Sequence, residues 1–303
     1  MEAKHDSVLM SEVLEALDVQ PTDTVLDATL GGAGHFSAML SKLGERGVLV
    51  GIDADAEAIV RAQEVVVKDA RTKRPSVHIV QDNFRNLPDI LSSLNIEAID
   101  KALFDLGWSG FQIASVRGFS FQSDEPLLMN YGEGGETAAS IVNSSSEKDL
   151  ADIIFVYGEE RFARSIARAI VEARAKERLL TTNALVKAIL AGTPRSYHTG
   201  KTHPATKTFQ ALRIATNDEF GALREGLSAA LSALSSGGRV AVISFHSIED
   251  RIVKEILRTA VEDGQGRMVP KKPLVPTREE VLANRRARSA KLRVFERNHS
   301  HHA

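Results

Sequence analysis

The chain has 303 residues, 43% of them apolar and 26% charged, a formal net charge of −2 and no cysteine. That length accommodates one large domain or two ordinary ones around a buried core. The missing cysteines exclude a disulfide framework, a thiolate zinc site and a cysteine nucleophile. No stretch approaches the roughly 20 apolar residues of a membrane helix. The opening "MEAKHDS" matches neither a signal nor a transit peptide, so the expected location is cytoplasmic. Charge is segregated. Residues 267–297 hold ten Lys/Arg against three acids, a local net of +7, and the stretch from Arg195 to Arg213 has four Lys/Arg, two His and no acid. Such patches suit a nucleic-acid face on a mildly acidic protein; the plainer reading is a solvated loop and tail.

In chain order, "MSEVLEAL" (10–17) reads as an amphipathic helix. Strands follow at "TVLDA" (24–28), "GVLVGID" (47–53), "VHIVQDN" (77–83) and "AIDKALFDLG" (98–107). Between them lie the helical runs "HFSAMLSKL", "AEAIVRAQEVVVKDA" and "LPDILSSL". Strands alternating with helices at this spacing predict βαβ units, a parallel sheet and helices on both faces. The rhythm fails after Gly107, where a Gly/Ser/Asn-rich segment carries isolated aromatics. Helical periodicity resumes at Glu147; Phe162, Ile166 and Ile170 form a stripe with Arg161, Arg164 and Arg168 off it. "NALVKAIL" reads as a further helix. A helix over 218–234 stops at Gly237 and Gly238; then come the strand "RVAVISFH" (239–246), the helix "SIEDRIVKEILRTA" and a last strand "KLRVFER" (291–297). The expected organisation is a core of residues 1–110 and 207–303 interrupted by a mostly helical insert of residues 111–206.

Ligands of open α/β sheets bind at the carboxyl ends of the strands. Here those ends carry Asp27, Asp53 and Asp105, with Asp82 near a fourth. Gly31, Gly32 and Gly34 follow Asp27 and allow a sharp turn and close backbone approach. The dinucleotide fingerprint would need a glycine where Ser37 stands, and no P-loop lysine is present. Asp53 is placed to accept both hydroxyl hydrogens of a ribose, which NAD and S-adenosylmethionine both offer; its competing reading is a helix N-cap, which Asp55 fills better. Three acids around a glycine turn suit a sulfonium-bearing ligand better than a pyrophosphate. Ser247 to Asp250 is S-x-x-D, read as a capping box for the next helix.

The motifs "HDSVLMSEVLEAL", "DATLGGAGH", "GIDAD", "DLGWSGFQ", "YGEERFARSIARAIVEAR", "HPATKTFQALRIATNDE", "VISFHSIEDRIVK" and "RSAKLRVFER" span nearly the whole chain. In them the sequence resembles the RsmH (MraW) family, which methylates N4 of a decoding-site cytidine in small-subunit (16S) ribosomal RNA with S-adenosylmethionine. The resemblance implies a doubly wound, Rossmann-like class I methyltransferase core with an inserted helical domain. By the same resemblance, Ala33, Gly34 and His35 line the methionine end of the cofactor, Asp53 binds the ribose, Phe84 packs on the adenine, and Asp105 and Gln112 complete the pocket. The partners implied are small-subunit ribosomal RNA or the 30S particle, with a homodimer as one assembly state; no metal and no membrane are expected.

The expected chemistry is one in-line displacement, with Asp105 accepting from the target amine and His246, at the same rim, a second candidate for the released proton. Attack on the pyrimidine ring through a cysteine is closed to this chain. Trp108, Phe111, Phe119 and Phe121 are candidates to stack on a splayed base or to pack the insert. The sequence departs from the family's usual pattern at Leu128 and Asn130, where an Asp and an Arg are common, and at Ser109–Gly110. A non-catalytic or retargeted nucleic-acid-binding regulator on the same fold is therefore the competing expectation.

Overall fold

Four short apolar runs, each closing on an acid or a glycine, build one end of a seven-stranded sheet. The computed structural model describes residues 7–107, 116–132, 134–200 and 202–299. Trp108, Ser109, Gly110, Phe111 and Gln112 lie outside the described residues. Within the first 110 residues the order is α1 (Met10–Leu17), β1 (Thr24–Asp27), α2 (Gly34–Lys42), β2 (Val48–Asp53), α3 (Ala56–Lys68), β3 (Ser76–Gln81), α4 (Leu87–Ser93) and β4 (Ile99–Asp105). The later part adds α5 (Ala138–Ser144), α6 (Glu147–Gly158), α7 (Ala163–Arg174), α8 (Thr182–Ala191), α9 (Thr206–Asn217) and α10 (Glu219–Ala233). Then follow β5 (Leu234–Ser244), α11 (Ser247–Glu262), β6 (Gly266–Met268), α12 (Arg278–Ala283) and β7 (Lys291–Arg297).

The strand order is β3-β2-β1-β4-β5-β7-β6. Strands β1 to β5 run parallel, and β7 enters antiparallel between β5 and β6. Alternation along each strand fills two cores. Leu26, Val50, Ile52, Ala102, Phe104, Val240 and Val242 face one, with apolar residues of α4, α10 and α11. Val25, Leu49, Leu103, Ala241 and Ile243 face the other, with α1, α2 and α3. Helices thus cover both faces, the arrangement of a doubly wound class I methyltransferase core.

The chain divides into two compact units, residues 1–110 with 220–303, and residues 111–219. The second crossing falls later than the 206/207 boundary drawn from sequence, because α9 belongs with the helical unit. There Gln210 Nε2 donates to the Tyr157 carbonyl, and Gly158 admits α9 so closely that an added Cβ would stand 2.6 Å from the Lys207 oxygen. In α7, Ile166 and Ile170 are fully buried as the stripe predicts and Phe162 at its N-cap is half-buried, while Arg164, Arg168 and, just ahead of the helix, Arg161 are exposed.

Two local expectations are corrected. Gly237 and Gly238 do not stop a helix: α10 ends at Ala233 and both glycines lie inside β5. Pairing shifts there from Ile99↔Leu234 to Lys101↔Arg239, and Gly237 takes φ 75°, which glycine adopts without strain. The N-cap of α11 is His246, not Ser247. His246 Nδ1 accepts from the Glu249 N–H, and the Glu249 side chain returns to the His246 backbone, so the capping box starts one residue earlier than S-x-x-D implies.

Candidate active site at the carboxyl rim of the sheet

The parallel register places Asp27, Asp53 and Asp105 at the same edge of three adjacent strands, β2-β1-β4. After Asp27 the chain turns through the glycines. Leu30 N–H donates to the Ile52 carbonyl, fastening the turn to β2. Gly31 takes φ 47° and Ala33 φ 59°, a left-handed conformation that costs an alanine about 1–2 kcal/mol. Gly34 opens α2 where a side chain would collide with Ser7, so its lack of a Cβ serves the approach of the N-terminal segment.

Asp53 is held by backbone on both oxygens. Oδ2 accepts from the Gly31 N–H at 2.9 Å and Oδ1 from the Asp55 N–H at 2.9 Å. Asp55 in turn caps α3 through the Glu57 N–H, which leaves the second lone pairs of Asp53 for a ligand. Burial nevertheless pushes the Asp53 carboxyl up to about 6, against those two donors. Asp27 is wholly buried; Oδ1 accepts from the Thr29 N–H at 3.2 Å and Oδ2 has no partner. Burial pushes it up to about 7, with His35 opposing.

His35, second residue of α2 and 5% exposed, links the acids. Its Nε2 lies 3.1 Å from the Val8 carbonyl and its Nδ1 3.5 Å from Asp105 Oδ2. Burial disfavours its charged form, but the Asp105 and Asp27 carboxylates and the Val8 carbonyl outweigh that, and its pKa is raised. Asp105 N–H donates to Thr29 Oγ1 at 2.7 Å, tying the end of β4 to the glycine turn, and Asp105 Oδ1 is buried with no hydrogen-bond partner among the described residues. Thr29 and the Val8 carbonyl are site elements that the sequence reading did not name.

The other expected residues lie as follows. Ala33 and Gly34 sit in the turn beside His35. Phe84 is half-buried, edge-on to Phe104 at 5.5 Å, and closely approached by Gly226 of α10. Asp82 is used locally, accepting from the Asn83 N–H and Asn86 Nδ2. His246 is engaged by Glu249 at both ring nitrogens, as acceptor at Nδ1 and in a 2.9 Å contact at Nε2 that is not aligned as a hydrogen bond. That gives it a capping task at the end of β5. Gln112 lies outside the described residues.

In the helical unit, Phe119 is buried and stacked on Tyr131, and Phe121 stacks on His203 and meets Phe209 edge-on. Both pack the insert. Asn130 Nδ2 donates to the Gly132 and Gly134 carbonyls, so the departure from the family pattern organises its own loop. In the basic tail, Arg267 pairs with Glu296, Lys291 and Arg293 with Asp250, and Arg297 binds carbonyls near the end of α10. Lys271, Lys272, Arg285, Arg286 and Arg288 remain exposed.

No described helix is long and apolar enough to cross a membrane. The MraW methylase family matches residues 2–298. Ribosomal RNA small subunit methyltransferase H of Deinococcus radiodurans is 45% identical over 296 residues, 97% of this chain and 89% of that protein. The protein of the same name from Brevibacillus brevis is 41% identical over 310 residues, 97% of this chain and 98% of its own length. A crystal structure of an rRNA methylase from Streptococcus thermophilus matches over 95% of this chain and 93% of its own at 11% identity and a TM-score of 0.44. On the full-length match and the level of identity, the chain belongs to the MraW methylase family.

Proposed function

We propose that this protein methylates the exocyclic N4 of a cytidine in the decoding region of small-subunit ribosomal RNA, presented in the 30S particle. It is an rRNA methyltransferase that uses S-adenosylmethionine; the base, the atom and the residue roles are the proposal. The observation that carries it is the rim of three acids, Asp27 buried and Asp53 and Asp105 half-buried, with oxygens of Asp27 and Asp105 that have no hydrogen-bond partner among the described residues. The burial that drives Asp27 and Asp53 toward neutrality favours a ligand that brings positive charge and hydrogen-bond donors. When bound, S-adenosylmethionine supplies a methyl group made electrophilic by its sulfonium.

Asp53 holds the ribose hydroxyls through the lone pairs its two backbone donors leave open. Ala33, Gly34 and His35 line the methionine end, where the turn exposes backbone. Phe84 flanks the adenine with the ring edge that Phe104 does not use, and Gln112 closes the pocket. Asp105 Oδ1 accepts a hydrogen from the target amine. A cytosine amine is a weak nucleophile because its lone pair is delocalised into the ring; an acceptor that draws on its hydrogen restores that pair for attack. His246 fixes the neighbouring rim by capping α11. The exposed Arg161 and Arg164, with the 195–207 segment, supply phosphate contacts that position the RNA.

The test is incubation of the protein with labelled S-adenosylmethionine and 30S particles from cells lacking the modification, followed by mass spectrometry of the nucleosides. N4-methylated cytidine in the decoding region is the expected product. Cofactor binding without label in the RNA would instead favour the regulator reading raised by Leu128 and Asn130.

A further inference from the structure

Two observations about His35 go beyond lining the cofactor site. The first concerns its Nε2, 3.1 Å from the Val8 carbonyl. A carbonyl only accepts, so Nε2 carries a hydrogen. The second concerns Nδ1, 3.5 Å from Asp105 Oδ2. A neutral ring with its hydrogen on Nε2 would turn a bare lone pair toward a carboxylate. That arrangement is repulsive unless a proton lies between them. The surroundings say on which side it rests. Asp105 on β4 and Asp27 on β1 both face the ring, Asp53 on β2 lies behind Asp27, and the Val8 carbonyl closes the N-terminal side. Asp105, Asp27 and the Val8 carbonyl each favour a positively charged ring.

We propose that His35 is a positioning residue for methyl transfer: it carries hydrogens on both ring nitrogens, directs Nδ1–H at Asp105 Oδ2, and so leaves Oδ1 as the oxygen that meets the target amine. The assignment rests on the role given to Asp105 above. It accounts for the unequal treatment of the two oxygens, one facing a cation and the other buried with no partner. It also gives the segment ahead of α1 a task. Val8 holds the ring from behind, and Ser7 packs over Gly34 at the start of the same helix.

The test is nitrogen-15 NMR of the histidine side chains in the full-length protein without cofactor. Both His35 ring nitrogens are expected to be protonated near neutral pH, with the ring titrating above the ordinary histidine value. In Asp105→Asn the ring is expected to lose the Nδ1 proton, keep the Nε2 proton and titrate lower by about one unit or more. A second arm uses His35→Gln. Loss of positioning lowers kcat for rRNA methylation about tenfold or more, beyond any change in the KM for S-adenosylmethionine. A neutral His35 in the unaltered protein, a titration unmoved by Asp105→Asn, or a His35→Gln variant that changes only the cofactor KM would each overturn the proposal. The NMR arm needs neither cofactor nor RNA. Failure of the unaltered protein to label rRNA therefore defeats the proposed function, while normal labelling with an unmoved titration defeats this inference alone.

Discussion

Two groups of buried carboxylates lie on the same sheet and are treated in opposite ways. On the β5–β7 flank, Asp250 binds Lys291 and Arg293, and Glu296 binds Arg239 and Arg267. Burial opposes the ionised forms there, but the paired cations outweigh it and hold both acids below the ordinary carboxylate range. At the β1–β2–β4 rim, Asp27 and Asp53 have backbone donors and a histidine, and burial wins. On the flank the paired cations outweigh burial; at the rim the groups around Asp27 and Asp53 do not. That contrast supports the rim as the proposed place of a cationic ligand, more sharply than acidity alone.

The contrast can be broken most directly at Asp105. Asp105→Asn should lower kcat for rRNA methylation by about 10²- to 10⁴-fold, a loss larger than the cost in thermal unfolding of removing the Oδ2 contact with His35. Asp250→Asn should do the reverse: it strands Arg293 and Lys291 and costs about 3–5 kcal/mol in denaturant unfolding, with methylation per folded molecule retained. Asp53→Asn should weaken S-adenosylmethionine binding about 10- to 100-fold by calorimetry, because its amide must turn a donor toward the Gly31 or Asp55 N–H.

The smallest effect is in pH, and its sign differs between the regions. Asp27 and Asp53 bind protons more tightly folded than unfolded, so their contribution to stability is present at low pH. It fades as pH rises from 3.8 to about 6 for Asp53 and to about 7 for Asp27. His35, also raised, contributes in the same sense, fully below 6.5 and losing it as pH climbs through its folded value. Asp250 and Glu296 are lowered, so their contribution is present above 3.8 and 4.5 and is lost as pH falls through their folded values. Unfolding midpoints of the cofactor-free protein should thus decline between about pH 5 and about pH 7, and Asp27→Asn should flatten that decline.

Most of the core was legible from local patterning. Each buried strand is an apolar run closed by an acid or glycine, and parallel pairing necessarily brings Asp27, Asp53 and Asp105 to one edge. Strand order was not legible, so nothing local announces that Thr29 Oγ1 would receive the Asp105 N–H or that Val8 would reach His35. The cap of α11 was placed one residue late because histidine is a rare cap and Ser247 a common one. The short α5 and α12 and the three-residue β6 carry too few residues for a periodic signal. The basic tail was half misjudged: its charge was plain, but the partners Asp250 and Glu296, which pair with Arg267, Lys291 and the buried Arg293, are set by the pairing of β7 with β5.

The place of β7 has a consequence for synthesis on the ribosome. Residues 291–297 are made after the other six strands of the sheet, yet they form an interior strand, flanked by β5 and β6. Until they emerge, β5 presents an open, largely apolar edge, and Glu296 is not there to receive Arg239. Completion of the sheet is therefore a late, long-range event, slow by its high contact order. A nascent chain halted before Lys291 would expose the edge most prone to pairing with a neighbour.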